Sequence, residues 1–183
     1  KTNYKYNEEL DVSTGTLEIE RGSGKTSIPI TSDMVSGYNK QTLGNQTLTI
    51  TYGGETVQYQ VTVKDYVTGI TVIPSTLTGN YNETLAKLIS DNNISYSVTY
   101  AKAGAKPPLT LAESMVDGYS STSISAQNLI VTYLDSDIDS ATNGENFTAT
   151  LNITLSDKVD TITVVAPTKT KYNHGEALDL TGG

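Results

Sequence analysis

Cysteine and tryptophan are absent from this 183-residue chain; phenylalanine and histidine occur once each and methionine twice. Without cysteine there is no disulfide, no thiolate metal site and no thiol nucleophile. A single histidine, His174, read as a surface residue, supplies neither a Ser-His-Asp triad nor a histidine metal centre. Basic residues are scarce: 12 Lys and Arg against 20 Asp and Glu leave a formal net charge of −8. That balance argues against nucleic acid and anionic membrane as partners, since both are held by basic patches. No apolar run approaches the ~20 residues needed to cross a bilayer, and no signal peptide is recognisable. The chain begins and stops in mid-pattern and reads as a piece of a longer protein, with targeting and anchoring signals outside it. The missing Trp also weakens any sugar-stacking cleft, although Tyr, present 12 times, can substitute.

Thr, Ser and Tyr are plentiful and suit pleated, half-exposed strands. Residues 16–20, 47–52 and 57–63 alternate apolar and polar, the period-two pattern of strands with one buried face. Gly53-Gly54 between the last two is a hairpin signal, and Gly22-Ser23-Gly24 turns into a strand at 26–30. Further strands are expected at 67–73, 94–100, 106–111, 128–134 and 146–155, with a short helical turn at 83–90. Short strands punctuated by Gly and Asn point to a sandwich or barrel.

The strongest feature is repetition. Met34-Val35-Ser36-Gly37-Tyr38 returns as Met115-Val116-Asp117-Gly118-Tyr119, and Gln46, Leu48, Thr51 and Tyr52 return as Gln127, Leu129, Thr132 and Tyr133. Val67, Ile70-Thr71-Val72 and Pro74 match Val159, Ile162-Thr163-Val164 and Pro167. Recurrence of this kind marks an array of small units. The expected division is 1–65, 66–158 with an enlarged hairpin at Asp135–Asn146, and 159–183 as the start of a truncated third unit. In that third piece Lys171-Tyr172-Asn173 is read as an echo of Lys5-Tyr6-Asn7.

These residues resemble the bacterial immunoglobulin-like domains of group 3. The resemblance rests on the start Tyr172-Asn173-His174-Gly175-Glu176-Ala177-Leu178-Asp179-Leu180, on Met34 to Tyr38, on Thr42-Leu43-Gly44, on Thr47 to Tyr52 and on Tyr59 to Val63. The first copy reads as a shortened start, with Asn7-Glu8-Glu9 lacking the Gly, and the second copy as poorly preserved there. The resemblance implies an all-β protein of tandem immunoglobulin-like antiparallel β-sandwiches, extracellular, at a bacterial cell surface or secreted. It brings no catalytic residue and no cofactor. Gly37 and Gly118 are expected at positive φ, Met34 and Val35 in the core, and Tyr38 either as a corner tyrosine bonded across the unit or as a rim aromatic.

Residue clusters with the look of chemistry are few. Gly22-Ser23-Gly24-Lys25-Thr26 imitates the tail of a phosphate loop, but Ile19 stands where the first Gly belongs, so a hairpin with a solvated Lys is expected. Asp135, Asp137, Asp139 and Glu145 form the one calcium candidate, because hard cations prefer oxygen clusters. Ser140 and Asn146 stand where a calcium loop wants Gly and Glu, and a solvated acidic loop is the other reading. Asp179-Leu180-Thr181 is not an aspartic-protease motif. Sequons at Asn45, Asn82, Asn93, Asn146 and Asn152 matter only in a eukaryote, which the missing cysteines disfavour. A Lys–Asn isopeptide bond would answer the lack of disulfides, without the sequence naming its residues.

The function expected is a non-catalytic stalk or spacer that presents a distal domain. The alternative is an adhesin contacting host protein or glycan through loops 101–108 and 135–146. A further expected partner is the chain itself, head to tail, through residues 159–183.

Overall fold

The computed structural model describes residues 1–182. It is all-β apart from one short helix and two single 3-10 turns. Six strands precede Asp65: β1 (Asn3–Lys5), β2 (Thr16–Arg21), β3 (Gly24–Pro29), β4 (Val35–Ser36), β5 (Gly44–Tyr52) and β6 (Glu55–Lys64). The β5–β6 hairpin is the backbone of this first sandwich. Its alternation puts Leu48, Ile50, Val61 and Val63 on one face, where they are buried, and the register sets Leu48 opposite Tyr59 and Ile50 opposite Val57. Gly53 and Gly54 take φ of +61° and +89°, the pair of positive angles that a two-residue turn needs to match strand twist. β4 and β1 flank the hairpin, β1 running parallel to β6, and β2–β3 form a separate two-stranded sheet. Tyr4 joins Leu48, Val61 and Val63 in a small core, with Leu10, Val35 and Tyr38 packed on it.

The second sandwich comprises β7 (Val67–Ile73), β8 (Thr76–Asn80), α1 (Leu85–Asp91), β9 (Ser95–Tyr100), β10 (Gly104–Ala105), β11 (Leu109–Thr110), β12 (Val116–Asp117), β13 (Gln127–Leu134) and β14 (Asn146–Ser156). Its larger sheet, β12-β13-β14-β8, repeats β4-β5-β6-β1 strand for strand, including the parallel edge pair β8–β14. Val116 pairs with Val131 as Val35 pairs with Ile50. Leu129 pairs with Leu151 as Leu48 pairs with Tyr59. β9 with β11 corresponds to β2 with β3. β7 has no counterpart in the first sandwich; it pairs antiparallel with the free edge of β9. The core here is much larger, running from Val67 through the three inward residues of α1 (Leu85, Leu88, Ile89) to Leu155.

Each sandwich is closed at the same corner. Gln46 brackets the loop after Tyr38, accepting from Asn39 N and donating to the carbonyls of Asn39 and Thr42. Gln127 does the same with Ser120 and Ser123. The Tyr38 hydroxyl donates to the Glu8 carbonyl at 2.7 Å, and the Tyr119 hydroxyl donates to the Glu83 carbonyl. Both tyrosines are corner residues tying the long loop to the unit's start. Gly37 sits at φ +95° and Gly118 at +89°. A Cβ on Gly37 would stand 2.8 Å from the Thr47 carbonyl oxygen, so the glycine is required by angle and by space. Val35, Met115 and Val116 pack on the cores, while Met34 is half-buried in its 3-10 turn.

The start motif is preserved in all three places, and this corrects the sequence reading. Lys5 N donates to Glu8 Oε2, Asn80 N to Glu83 Oε2 and Asn173 N to Glu176 Oε2, at 2.7 to 2.8 Å. The residue before each glutamate has positive φ: Asn7 at 65°, Asn82 at 62° and Gly175 at 82°. Asn is the side chain best able to replace Gly there, so the first copy is not shortened; Asn7 holds the Gly position. The tail also aligns differently from expectation. Tyr172 donates to the carbonyls of Lys169 and Asp179 as Tyr4 donates to those of Lys1 and Asp11. Tyr172 therefore corresponds to Tyr4, not to Tyr6. Residues 159–165, expected as a strand, form none, and Val159, Ile162 and Val164 are exposed.

Candidate functional site

The connection between the sandwiches is short, and an unusual share of the polar groups around it is spent on holding it. Asp65 is the centre. Its Oδ1 accepts from Lys102 N and Tyr66 N at 2.9 Å, its Oδ2 from Ala103 N at 3.0 Å, and its carbonyl from Ala141 N at 2.7 Å. A carboxylate with backbone N–H donors on both oxygens is a charge-assisted arrangement, stronger than neutral pairs. Lys64 Nζ donates to the Ile138 carbonyl, and Lys102 Nζ reaches back to the Gln41 carbonyl at 2.8 Å. Lys5 lies over the Tyr66 ring and Lys102 over the Tyr6 ring, each about 5.5 Å from the centroid.

The enlarged hairpin supplies half of these contacts. Asp135, which the sequence places in a calcium candidate, is fully buried. Its Oδ2 accepts from the Thr142 hydroxyl at 2.7 Å and its Oδ1 from Asp137 N at 3.1 Å. Its backbone closes the loop through Glu145 O and Gly144 N. Thr142 in turn accepts from Val67 N, the first residue of β7, at 2.9 Å, and shares a bond with the Ser140 hydroxyl. Asp137 Oδ1 accepts from Asp139 N, while Asp137, Asp139 and Glu145 stay exposed. The four carboxylates do not converge: among the described residues no group of three or more His, Cys, Asp or Glu could hold a metal ion. Asp135 organises a loop; it is not turned towards solvent or its acidic neighbours. Alternating Asp in the sequence gave no sign of this, since burial of Asp135 depends on Thr142 and on β7. Beside the loop, burial pushes the Tyr100 hydroxyl well above the ordinary tyrosine range, with Tyr133 and Asp135 adding to it. Tyr133 is raised for the same reason.

Loops 101–108 and 135–146, expected as adhesive loops, thus both lie at the junction. Other sequence candidates are dispersed. Gly22-Ser23 is the turn of the β2–β3 hairpin, and Lys25 is exposed beside Glu20. His174 and Asp179 are exposed in the tail, where the Asp179 carboxylate accepts from Thr181. No described lysine is buried, so no lysine is in the core position that an isopeptide bond needs. No described helix is long and apolar enough to cross a membrane.

Residues 1–63 match the family model of the bacterial Ig-like domain (group 3). Domains of that family are found in bacterial surface proteins and are generally non-catalytic. None of the curated proteins compared with the chain matches it.

Proposed function

We propose that the chain is a non-catalytic spacer of an extracellular bacterial protein. Its units 1–65 and 66–158 are joined as a semi-rigid rod, and residues 159–183 begin a third. The observation that carries this reading is the Asp65 clamp. A flexible linker leaves its backbone to water, whereas here Asp65, Lys64 and Val67 are all bonded to loops of the second unit. Reach and orientation are what such a connection adds, and no constellation of catalytic groups accompanies it. Small-angle scattering should give an elongated particle with one preferred bend. A compact particle, or a broad ensemble indistinguishable from freely jointed units, would overturn the reading.

The adhesin reading keeps one observation in its favour. Ile138, at the tip of the enlarged hairpin, is 78% exposed, and loops on rigid sandwiches are common binding sites. Screening against host proteins and glycans, with a deletion of 135–146 as control, separates the two. Binding lost on deletion, in a protein whose rod shape survives, would favour adhesion.

A further inference from the structure

The first sandwich has an empty strand position, and the chain carries the strand that fits it. In the second sandwich β7 lies between β9 and β14, paired with the first and packed on the second. In the first, β2 pairs only with β3 among the described residues, and the place beside β2 and β6 is a groove. Two adjoining hollows of about 350 and 370 Å³ share Leu17, Ile50 and Val57 as lining, with Tyr59 at one end and Ile19 at the other. Equivalent positions measure what is missing. Leu151, covered by β7, is 0% exposed, while Tyr59, its counterpart on β6, is 36% exposed. Val57 is 48% exposed.

We infer that this groove is a strand acceptor and that its occupant is residues 159–165 of a second copy of the chain, added antiparallel to β2. Val159, Ile162, Thr163 and Val164 repeat Val67, Ile70, Thr71 and Val72 of β7 in identity and spacing. Their apolar side chains are among the most exposed in the protein, Ile162 at 93% and Val164 at 91%. The β7 pairs Ile70–Val98 and Val72–Tyr96 fix the register: Ile162 falls opposite Ile19 and Val164 opposite Leu17. Strand addition supplies backbone hydrogen bonds along the edge, and the alternate side chains fill the groove.

The donor cannot come from the same chain. β14 runs from the junction at Asn146 to Ser156, so at ~3.3 Å per residue it delivers the tail more than ~30 Å beyond the junction. The groove lies on the other side of that junction. Only Asp157 and Lys158 separate Ser156 from Val159, a reach of about 10 Å at full extension. The contact is therefore heterologous and propagates head to tail. It does not depend on the spacer reading, which concerns the internal junction.

The test uses the intact chain, a chain ending at Ser156 and a chain ending at Pro167, with circular dichroism to establish that each is folded. Sedimentation velocity across a concentration series should give growing head-to-tail oligomers for the intact chain and for the one ending at Pro167. The chain ending at Ser156 should stay monomeric. V57E in the acceptor or I162K in the donor should abolish growth. Because the protein has no cysteine, register can be read by oxidation. A mixture of I19C and I162C chains should crosslink as a mixed dimer, and a mixture of I19C and T163C chains should not. An intact chain that is monomeric at every concentration overturns the proposal, even if a free peptide of residues 157–167 binds. Growth that survives removal of 157–183 overturns it too.

Discussion

Leu88 Cδ2 lies 2.5 Å from where a Cβ on Gly79 would stand, so helix α1 fills in the second sandwich the place that the Tyr4 ring fills in the first. The two positions are equivalent by pairing: Tyr4 opposes Val63 on β6, and Gly79 opposes Leu155 on β14. A large side chain on the edge strand was exchanged for glycine plus an inserted helix. Thr84 caps that helix by accepting from Lys87 N, and Leu85, Leu88 and Ile89 face inward.

Gly79→Ala should therefore destabilise the second sandwich by about 1–3 kcal/mol through overpacking. Leu155 Cδ2 stands 2.9 Å from the same point and blocks an easy escape. Chemical denaturation of the variant should show one transition moved to lower denaturant and the other unmoved.

Asn7 accepts a left-handed backbone at about 1 kcal/mol or slightly more, a cost that Gly175 avoids at the equivalent place. Asn7→Gly should leave stability of the first sandwich unchanged or raise it, whereas Asn7→Ala should lower it. Thermal melts of the pair test the assignment of Asn7 to the Gly position.

Removing the corner hydroxyls tests the shared closure. Tyr38→Phe and Tyr119→Phe each delete one hydrogen bond to a carbonyl, worth about 0.5–1.5 kcal/mol. The losses should fall on different unfolding transitions and add in the double variant, because the two sites share no partner.

The Glu83 carboxyl is held below its ordinary value of 4.5, chiefly by the Asn80 backbone N–H and further by Lys87. A folded-state value below the unfolded one means stability that is complete above about pH 4.5 and fades as pH falls through the lowered value. Glu83→Gln should flatten the acid limb of the stability profile in that window and leave its neutral end nearly level. Glu8, lowered by Lys1 and by the Lys5 N–H, should behave likewise in the first sandwich.

Asp65→Ala removes the acceptor for Lys102 N and Ala103 N without touching either core. Scattering should report a wider spread of inter-unit angles while both melting transitions stay in place. Asp135→Ala should act differently: it leaves the buried Thr142 hydroxyl without its acceptor, a loss of about 1–3 kcal/mol, and should open 135–146 to limited proteolysis.

Much of the fold was legible because alternation, Gly-Gly turns and the repeated Met-Val-x-Gly-Tyr segment are local signals. The hairpin of β5 and β6, its turn and the two corner glycines follow from them directly. β8 was not read, because Thr76 to Asn80 contains Gly79 and Asn80 and becomes a strand only by lying along β14. The strand expected at 159–165 is absent for the converse reason: its pattern is right, but a strand needs an edge to pair with. The acidic loop misled because spacing records which carboxylates are near in sequence, not which one is buried.

The order of residues by itself determined that this is a β-sandwich protein with no thiol chemistry and an acidic surface, since period-two patterning and composition act residue by residue. Only the tertiary structure decided that Asp135 braces a junction, that Leu88 stands in for Tyr4 and that the first sandwich has a vacant groove. Each of those facts is a contact between segments far apart in the chain, and packing, not local preference, sets them.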